Sequence, residues 1–220
     1  MSTFPGSPKL LKGGLVVMSP GGTRVRRVIS LQYNPDSLTR SYQVQGVGGE
    51  GGGERAQPFR LKGAAIETIK LDAEIDATDQ LEFPDNNRVS TEVGIAPQLA
   101  ALEALINPSM ADLLAVDADA RGGTLEILPP EAPLVIFVWS RNRVVPVRVS
   151  DFSVTEEAFD PDLNPIRAKV SVGLRVLTVD DLGYTHRGGT LFLSYLRSRE
   201  ALAQRVPGAT LAAIGLTNLP

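Results

Sequence analysis

Ile166-Arg167-Ala168-Lys169-Val170-Ser171-Val172-Gly173-Leu174-Arg175-Val176-Leu177 decides the fold class. Successive side chains of a β-strand point to opposite faces. This stretch therefore puts Ile166, Ala168, Val170, Val172, Leu174 and Val176 on one face, and Arg167, Lys169, Ser171 and Arg175 on the other. Thr68 to Asp76 repeats the pattern in the other phase, with Ile69, Leu71, Ala73 and Ile75 inward and Lys70, Asp72, Glu74 and Asp76 outward. A parallel sheet buries both faces and loses such alternation, so both strands belong to an antiparallel sheet.

Weaker strand signals lie on either side. Arg24 to Tyr33 places Val25, Ile29, Leu31 and Tyr33 on one face and is stopped by the turn residues Asn34-Pro35-Asp36. Leu134 to Trp139 is a continuous apolar run, Arg141-Asn142-Arg143 a short turn, and Val144 to Val149 the returning strand of a hairpin. Val145, Val147 and Val149 share one parity and Phe152 and Val154 the other, which predicts a bulge near Ser150-Asp151. Pro146 lacks an amide proton and predicts an edge position or a bulge.

Helical spacing is rarer. Ala96 to Ile106 carries Pro97 in its first turn, an apolar stripe of Leu99, Leu102, Leu105 and Ile106, and Asn107-Pro108 as its stop. Leu191 to Val206 and Met110 to Ala120 are two further helix candidates, while Asp117 to Gly123 reads as a polar connection. Gly46 to Gly53 has six glycines in eight residues and reads as a loop.

Composition removes much chemistry. With no Cys there are no disulfides, thiolate metal sites or cysteine nucleophiles, and with His186 alone any zinc site, di-iron site or Ser-His-Asp triad would have to route through one imidazole. An enzyme is not expected, nor is a metal or organic cofactor. A net charge of −3 lacks the clustered basic excess that nucleic acid demands. The longest apolar run falls far short of the roughly 18 residues of a spanning helix, so no membrane insertion is expected. Residues 1–14 lack a signal-peptide pattern, which predicts synthesis in the cytoplasm.

Several motifs have a chemical and a plain reading. Gly46-Val47-Gly48-Gly49-Glu50-Gly51 matches G-x-G-x-x-G, but the fingerprint works only between a parallel strand and a helix, so a loop ordered by a partner is the better reading. Asp72, Glu74, Asp76 and Asp79 resemble a cation cluster and read better as a charged outer strand face. Glu156, Glu157 and Asp160 resemble a paired-carboxylate site and read better as interface or turn carboxylates, because sugar-cleaving clefts need aromatic platforms this chain is short of. His186 reads as a surface residue and Trp139 as a core or interface anchor.

Taken in order, five phrases resemble one family. They are Leu31-Gln32-Tyr33-Asn34-Pro35 followed by Leu38 and Arg40; Gly94-Ile95-Ala96-Pro97 running into Leu99-Ala100-Ala101-Leu102-Glu103; Pro133 to Trp139; Pro146-Val147-Arg148-Val149; and Thr155 to Val170. Together they are similar to the tube-type baseplate adaptors of extracellular contractile injection systems, the phage-tail-like particles that include the antifeeding prophage and the Photorhabdus virulence cassette.

The resemblance implies a mainly β fold, an antiparallel β-sandwich or barrel of the tail-tube type with one to three flanking helices. It implies a structural component that forms a homohexameric ring, joins the spike hub to the inner tube protein and seeds tube assembly, with other baseplate and sheath subunits as further neighbours. Residues 1–183 are expected to form the tube-like domain and 184–220 a helical extension. Tyr184 to Pro220 lacks the Gly-Asp-Thr-Leu and Ile-Pro pattern of the LysM module that some relatives carry, so no complete LysM module is expected. The particle would remain cytoplasmic or be released. Candidate interface residues are Tyr33, Asn34, Pro35, Gly46, Gly48, Gly49, Gly51, Trp139, Glu156, Glu157, Asp160, Asn164 and Arg167. An inner-tube or capping subunit, and a ligand-binding β-sandwich, are the rival readings.

Overall fold

A computed structural model describes residues 11–46, 61–123 and 132–218. Seven strands, β1 (Gly14–Met18), β2 (Val25–Ser30), β3 (Leu38–Gln43), β4 (Ile66–Asp76), β5 (Val135–Ser140), β6 (Arg143–Phe159) and β7 (Pro165–Val176), form one sheet in the order β2-β1-β5-β6-β7-β4-β3. Every pairing is antiparallel. The described residues also form six α-helices: α1 (Thr78–Leu81), α2 (Arg88–Val93), α3 (Ala96–Glu103), α4 (Met110–Arg121), α5 (Val179–Leu182) and α6 (Arg187–Ala203).

The alternation in β4 and β7 sets the core. Ile69, Leu71, Ala73 and Ile75 of β4 face inward beside Ala168, Val170, Val172, Leu174 and Val176 of β7, and all are buried. Phe137, Val145 and Val147 continue this layer, Leu99 and Leu102 of α3 cover it, and Phe192 and Tyr195 bring α6 into the same core. Burying a side chain of this size contributes about 1.5–3 kcal/mol. A smaller cluster, Met18, Leu134 and Ile136, lies beside Val16, Val138, Val144, Leu182 and Leu191.

The strand β6 holds the sheet together. Its first residues pair with β5, its later ones with β7, and Val147 alone pairs with both. The register slips at Ser150, so the expected bulge is present. The extra residue crowds the neighbouring strand: a Cβ on Gly173 would come within 2.9 Å of the Asp151 Cβ, which explains a glycine in the middle of β7. A second slip leaves Glu157 as an extra residue.

Four expectations need correction. The sheet is not closed among the described residues, so the sandwich or barrel is in fact one open sheet, because β2 and β4 approach each other without pairing backbones. The flanking helices exceed the expected one to three, since α1, α2 and α5 are too short for their periodicity to register. Pro146 is in an interior strand, opposite Ile136; its carbonyl accepts from the Leu177 N–H where β7 ends, so its missing N–H falls where the next strand runs out. Asp117 to Arg121 belongs to α4 rather than to a connection. A capping box between Ser109 and Asp112 starts this helix, and Asp117 pairs with Arg121 at 2.8 Å one turn on.

The reading of β2 also changes. Arg26 is an extra residue in its register with β1, so Val25 lies opposite Met18 and Val28 opposite Val16. Val25 thus leaves the Ile29 face and joins that of Val28. No helix among the described residues is long and apolar enough to cross a membrane.

Candidate assembly interface

The hairpin tip between β6 and β7 gathers five of the sequence candidates. Asp160 Oδ1 accepts from the N–H groups of Asp162 at 2.9 Å and Asn164 at 2.8 Å. The Asn164 side-chain amide donates to Asp160 Oδ2 at 2.8 Å and to the Glu92 carbonyl at 3.2 Å. These bonds, led by that from the Asn164 side chain, hold the Asp160 carboxyl below its ordinary range. Glu157 pairs with Lys169 at 2.7 Å and Arg167 at 3.3 Å, and its carboxyl is likewise lowered, chiefly by Lys169. Glu156 is exposed opposite Ala168 on the other face of β6. The tip therefore divides its carboxylates: Asp160 shapes the turn and Glu157 neutralises two cations.

The tip is also tied to the helices. The Ile95 N–H donates to the Pro165 carbonyl at 2.8 Å, and Gly94, at φ +59°, lies so close that a Cβ there would come within 2.1 Å of the Pro165 oxygen. Only glycine fits this approach and adopts this backbone without strain.

Asn34 anchors the incoming chain. Its Oδ1 accepts from the Gly13 N–H at 2.9 Å and its Nδ2 donates to the Leu11 carbonyl at 2.8 Å. Tyr33 is 48% exposed and Pro35 is half-buried beside it. Trp139 stacks on Phe137 at 6.0 Å between ring centroids and packs against the main core, which favours the core side of its two readings. Gly46 forms an isolated bridge with Leu61, whereas Gly48, Gly49 and Gly51 lie outside the described residues. His186, expected as a plain surface residue, is half-buried and caps α6: its Nδ1 accepts from the Gly188 N–H at 3.1 Å.

Two features were not anticipated. Gln32 follows β2, and its side-chain amide bonds in both directions to the backbone of Asp76 at the end of β4. Since β3 pairs only with Ile66 to Leu71, the rest of β4 has no strand on that side among the described residues, and Gln32 stands in for one. Between the two edges lies a cavity of about 310 Å³, lined by β2, β4 and α3. The second feature is Glu67, only 3% exposed. Its carboxylate accepts from the hydroxyls of Tyr42 at 2.8 Å and Tyr195 at 3.1 Å, with the guanidinium groups of Arg40 at 3.5 Å and Arg199 at 3.7 Å. Arg199 also lies over both rings, 5.2 Å from the Tyr42 centroid and 5.5 Å from that of Tyr195. This cluster clasps α6 to β3 and β4. Extending the β4 alternation one step back from Ile69 would have placed Glu67 on the buried face.

The outer face of β4 and β7 pairs charges across the sheet. Asp76 lies opposite Arg167, Glu74 opposite Lys169 and Asp72 opposite Ser171. This matches the charged outer strand face expected of Asp72, Glu74 and Asp76; Asp79 is in α1. Facing opposite charges stabilise a sheet by a few tenths of a kcal/mol to about 1 kcal/mol each.

An antiparallel sheet whose long inner strands carry a charged outer face, and whose edge strands β2 and β3 each have one strand partner among the described residues, is the architecture in which these sites are set. The chain belongs to the family described as contractile injection system tube protein, whose sequence model matches residues 18–181. That span runs from the end of β1 through the hairpin tip to α5. A search of curated proteins finds no match.

Proposed function

We propose that this tube-family chain is the ring-forming baseplate adaptor of a contractile injection system, joining the spike hub to the inner tube and seeding tube assembly without a catalytic step of its own. The observation that carries the reading is a sheet whose edges, β2 and β3, have no second strand partner among the described residues, in a chain of this family. An unpaired edge exposes a row of backbone donors and acceptors, and a ring of copies satisfies such edges without closing each subunit on itself. The five ordered phrases that resemble the adaptors, from Leu31 to Val170, support adaptor rather than any tube layer. Six copies per ring, and contacts with hub, tube and sheath subunits, follow from that resemblance.

The family's own description favours a second reading, an inner-tube or capping subunit. Copy number separates the two. An adaptor is present as one ring per particle, whereas a tube subunit recurs along the whole length. The decisive experiment is deletion of this chain from a particle-producing strain, with electron microscopy and quantitative mass spectrometry of the product. Hub complexes without tubes are the expected result, and full-length tubes on assembled baseplates would overturn the proposal.

A further inference from the structure

Helix α4 is twelve residues long and buries none of them. Met110, Leu113 and Leu114 recur at the spacing that lines one side of a helix, and they are 76%, 56% and 59% exposed. A helix this short is marginal on its own in water, and its stability comes from an apolar surface to lie on. Its capping box and its Asp117–Arg121 pair hold the ends, and neither covers the stripe.

A surface of matching character exists elsewhere on the fold. The slip at Arg26 brings Val25 and Val28 together on the face of the sheet that carries Met18, Leu134 and Ile136. Leu182 of α5 and Leu191 of α6 cover part of this face, while Val25 and Val28 remain 58% and 63% exposed. A helix laid on a sheet face is the ordinary way such a surface is buried. The dimensions agree, with α4 about 18 Å long and β2 about 20 Å.

Charge identifies the occupant. Residues 24–30 hold three basic residues and no acidic one; Arg24 and Arg26, on either side of Val25 in the chain, are exposed with no ion pair among the described residues, whereas Arg27 lies opposite Val17 on the other face. Residues 77–123, which include α4, hold eight acidic residues against two basic. The acidic helix and the basic-flanked valine face are complementary in sign and in apolar content, and within one subunit both are left exposed. We infer that α4 of one copy seats on the Val25–Val28 face of the next, an interface between copies of this chain. The two patches differ, so the contact is head-to-tail, the type that closes into a ring when the rotation permits. The inference rests on the ring-forming reading and names the surface that would build the ring.

The test is self-association of the full chain, measured by sedimentation velocity at low and high salt. Asp117→Lys with Asp119→Lys reverses α4 and spares the Asp112 cap; Arg24→Glu with Arg26→Glu reverses the face. Each double variant should associate about tenfold more weakly or worse, since like charges brought together at an interface oppose docking. Rising salt should weaken the wild-type assembly. An equimolar mixture of the two variants should regain assembly, because each supplies the complement the other has lost. Val28→Asp, at an exposed position, should dissociate the ring independently, and circular dichroism checks that each variant is folded. Wild-type assembly by both reversal variants would overturn this interface and leave the ring reading standing. A mixture that stays dissociated would also overturn it, pointing to a contact within one copy or with another protein. If the wild-type chain forms no oligomer at any salt, the ring reading fails first and this inference with it.

Discussion

The side-chain amide of Gln32 grips the backbone of Asp76 in both directions, donating to its carbonyl at 2.6 Å and accepting from its N–H at 2.9 Å. Two strands paired through their backbones exchange the same two bonds. A single side chain thus links the two edges that a closed barrel would have zipped together.

Replacing Gln32 tests that link. Gln32→Ala leaves both polar groups of Asp76 without this partner in a half-buried place, which costs about 1–3 kcal/mol. Gln32→Glu keeps an acceptor but turns an oxygen toward the Asp76 carbonyl, so it should be no better than Ala at neutral pH. Chemical denaturation of both variants measures this. A loss under half a kcal/mol in both would show that the link adds little.

Tyr42 should titrate late. Burial, and then its hydrogen bond to Glu67, raise its hydroxyl from an ordinary value of 10 to about 12. The fold favours the neutral phenol, so this contribution to stability is complete below about pH 10 and is lost as pH rises toward 12. Phenolate absorbance should show a late ionisation step, and Tyr42→Phe should remove it. A titration curve left unchanged by Tyr42→Phe at its alkaline end would refute the assignment.

The carboxylates predict the acid side. Asp76, lowered chiefly by the Thr78 hydroxyl, joins Glu157 and Asp160 in favouring the charged form when folded. A lowered carboxylate stabilises the fold fully above its ordinary value and loses that effect as pH falls through its folded value. Stability should therefore decline below about pH 4, and Asp160→Asn should flatten part of that decline. Urea midpoints measured between neutral pH and strong acid decide this.

Two backbone positions should respond in opposite senses. Leu163, 78% exposed, has φ +65° at the hairpin tip, where a side chain is strained. Leu163→Gly should raise stability by up to about 1 kcal/mol. Gly94→Ala meets both a positive φ and the Pro165 oxygen, and should cost about 3 kcal/mol or more. Thermal unfolding of the two variants, with a loss at Leu163 or no change at Gly94, would contradict this account.

The long strands were legible because their neighbours on both sides let one face be apolar and the other charged, as in β4 and β7. Ser150 was legible for the same reason, since a bulge leaves a parity change behind. β1 was missed because Gly14 to Met18 has only five residues, with too little alternation to register. β3 was missed because Leu38 to Gln43 is an edge with one partner and is mostly polar. Val25 was misassigned because an extra residue such as Arg26 flips every parity beyond it. In the candidate interface, spacing located the hairpin tip, where Asp160 and Asn164 are close in sequence. It could not locate partners brought together from far apart, such as Glu67 with Tyr195, or Gln32 with Asp76.

The sharing of β6 between two sets of neighbours has a mechanical consequence. The panel of β2, β1 and β5 and the panel of β7, β4 and β3 hang on one rod and overlap at a single rung, Val147. A pull that slides one panel past the other along that rod loads the covalent chain of β6 and strains many ladder bonds at once. A pull across it peels them one by one. As far as the backbone ladder carries the load, the sheet resists sliding along β6 better than peeling across it, and only the shared core and the Gln32–Asp76 link oppose the second motion.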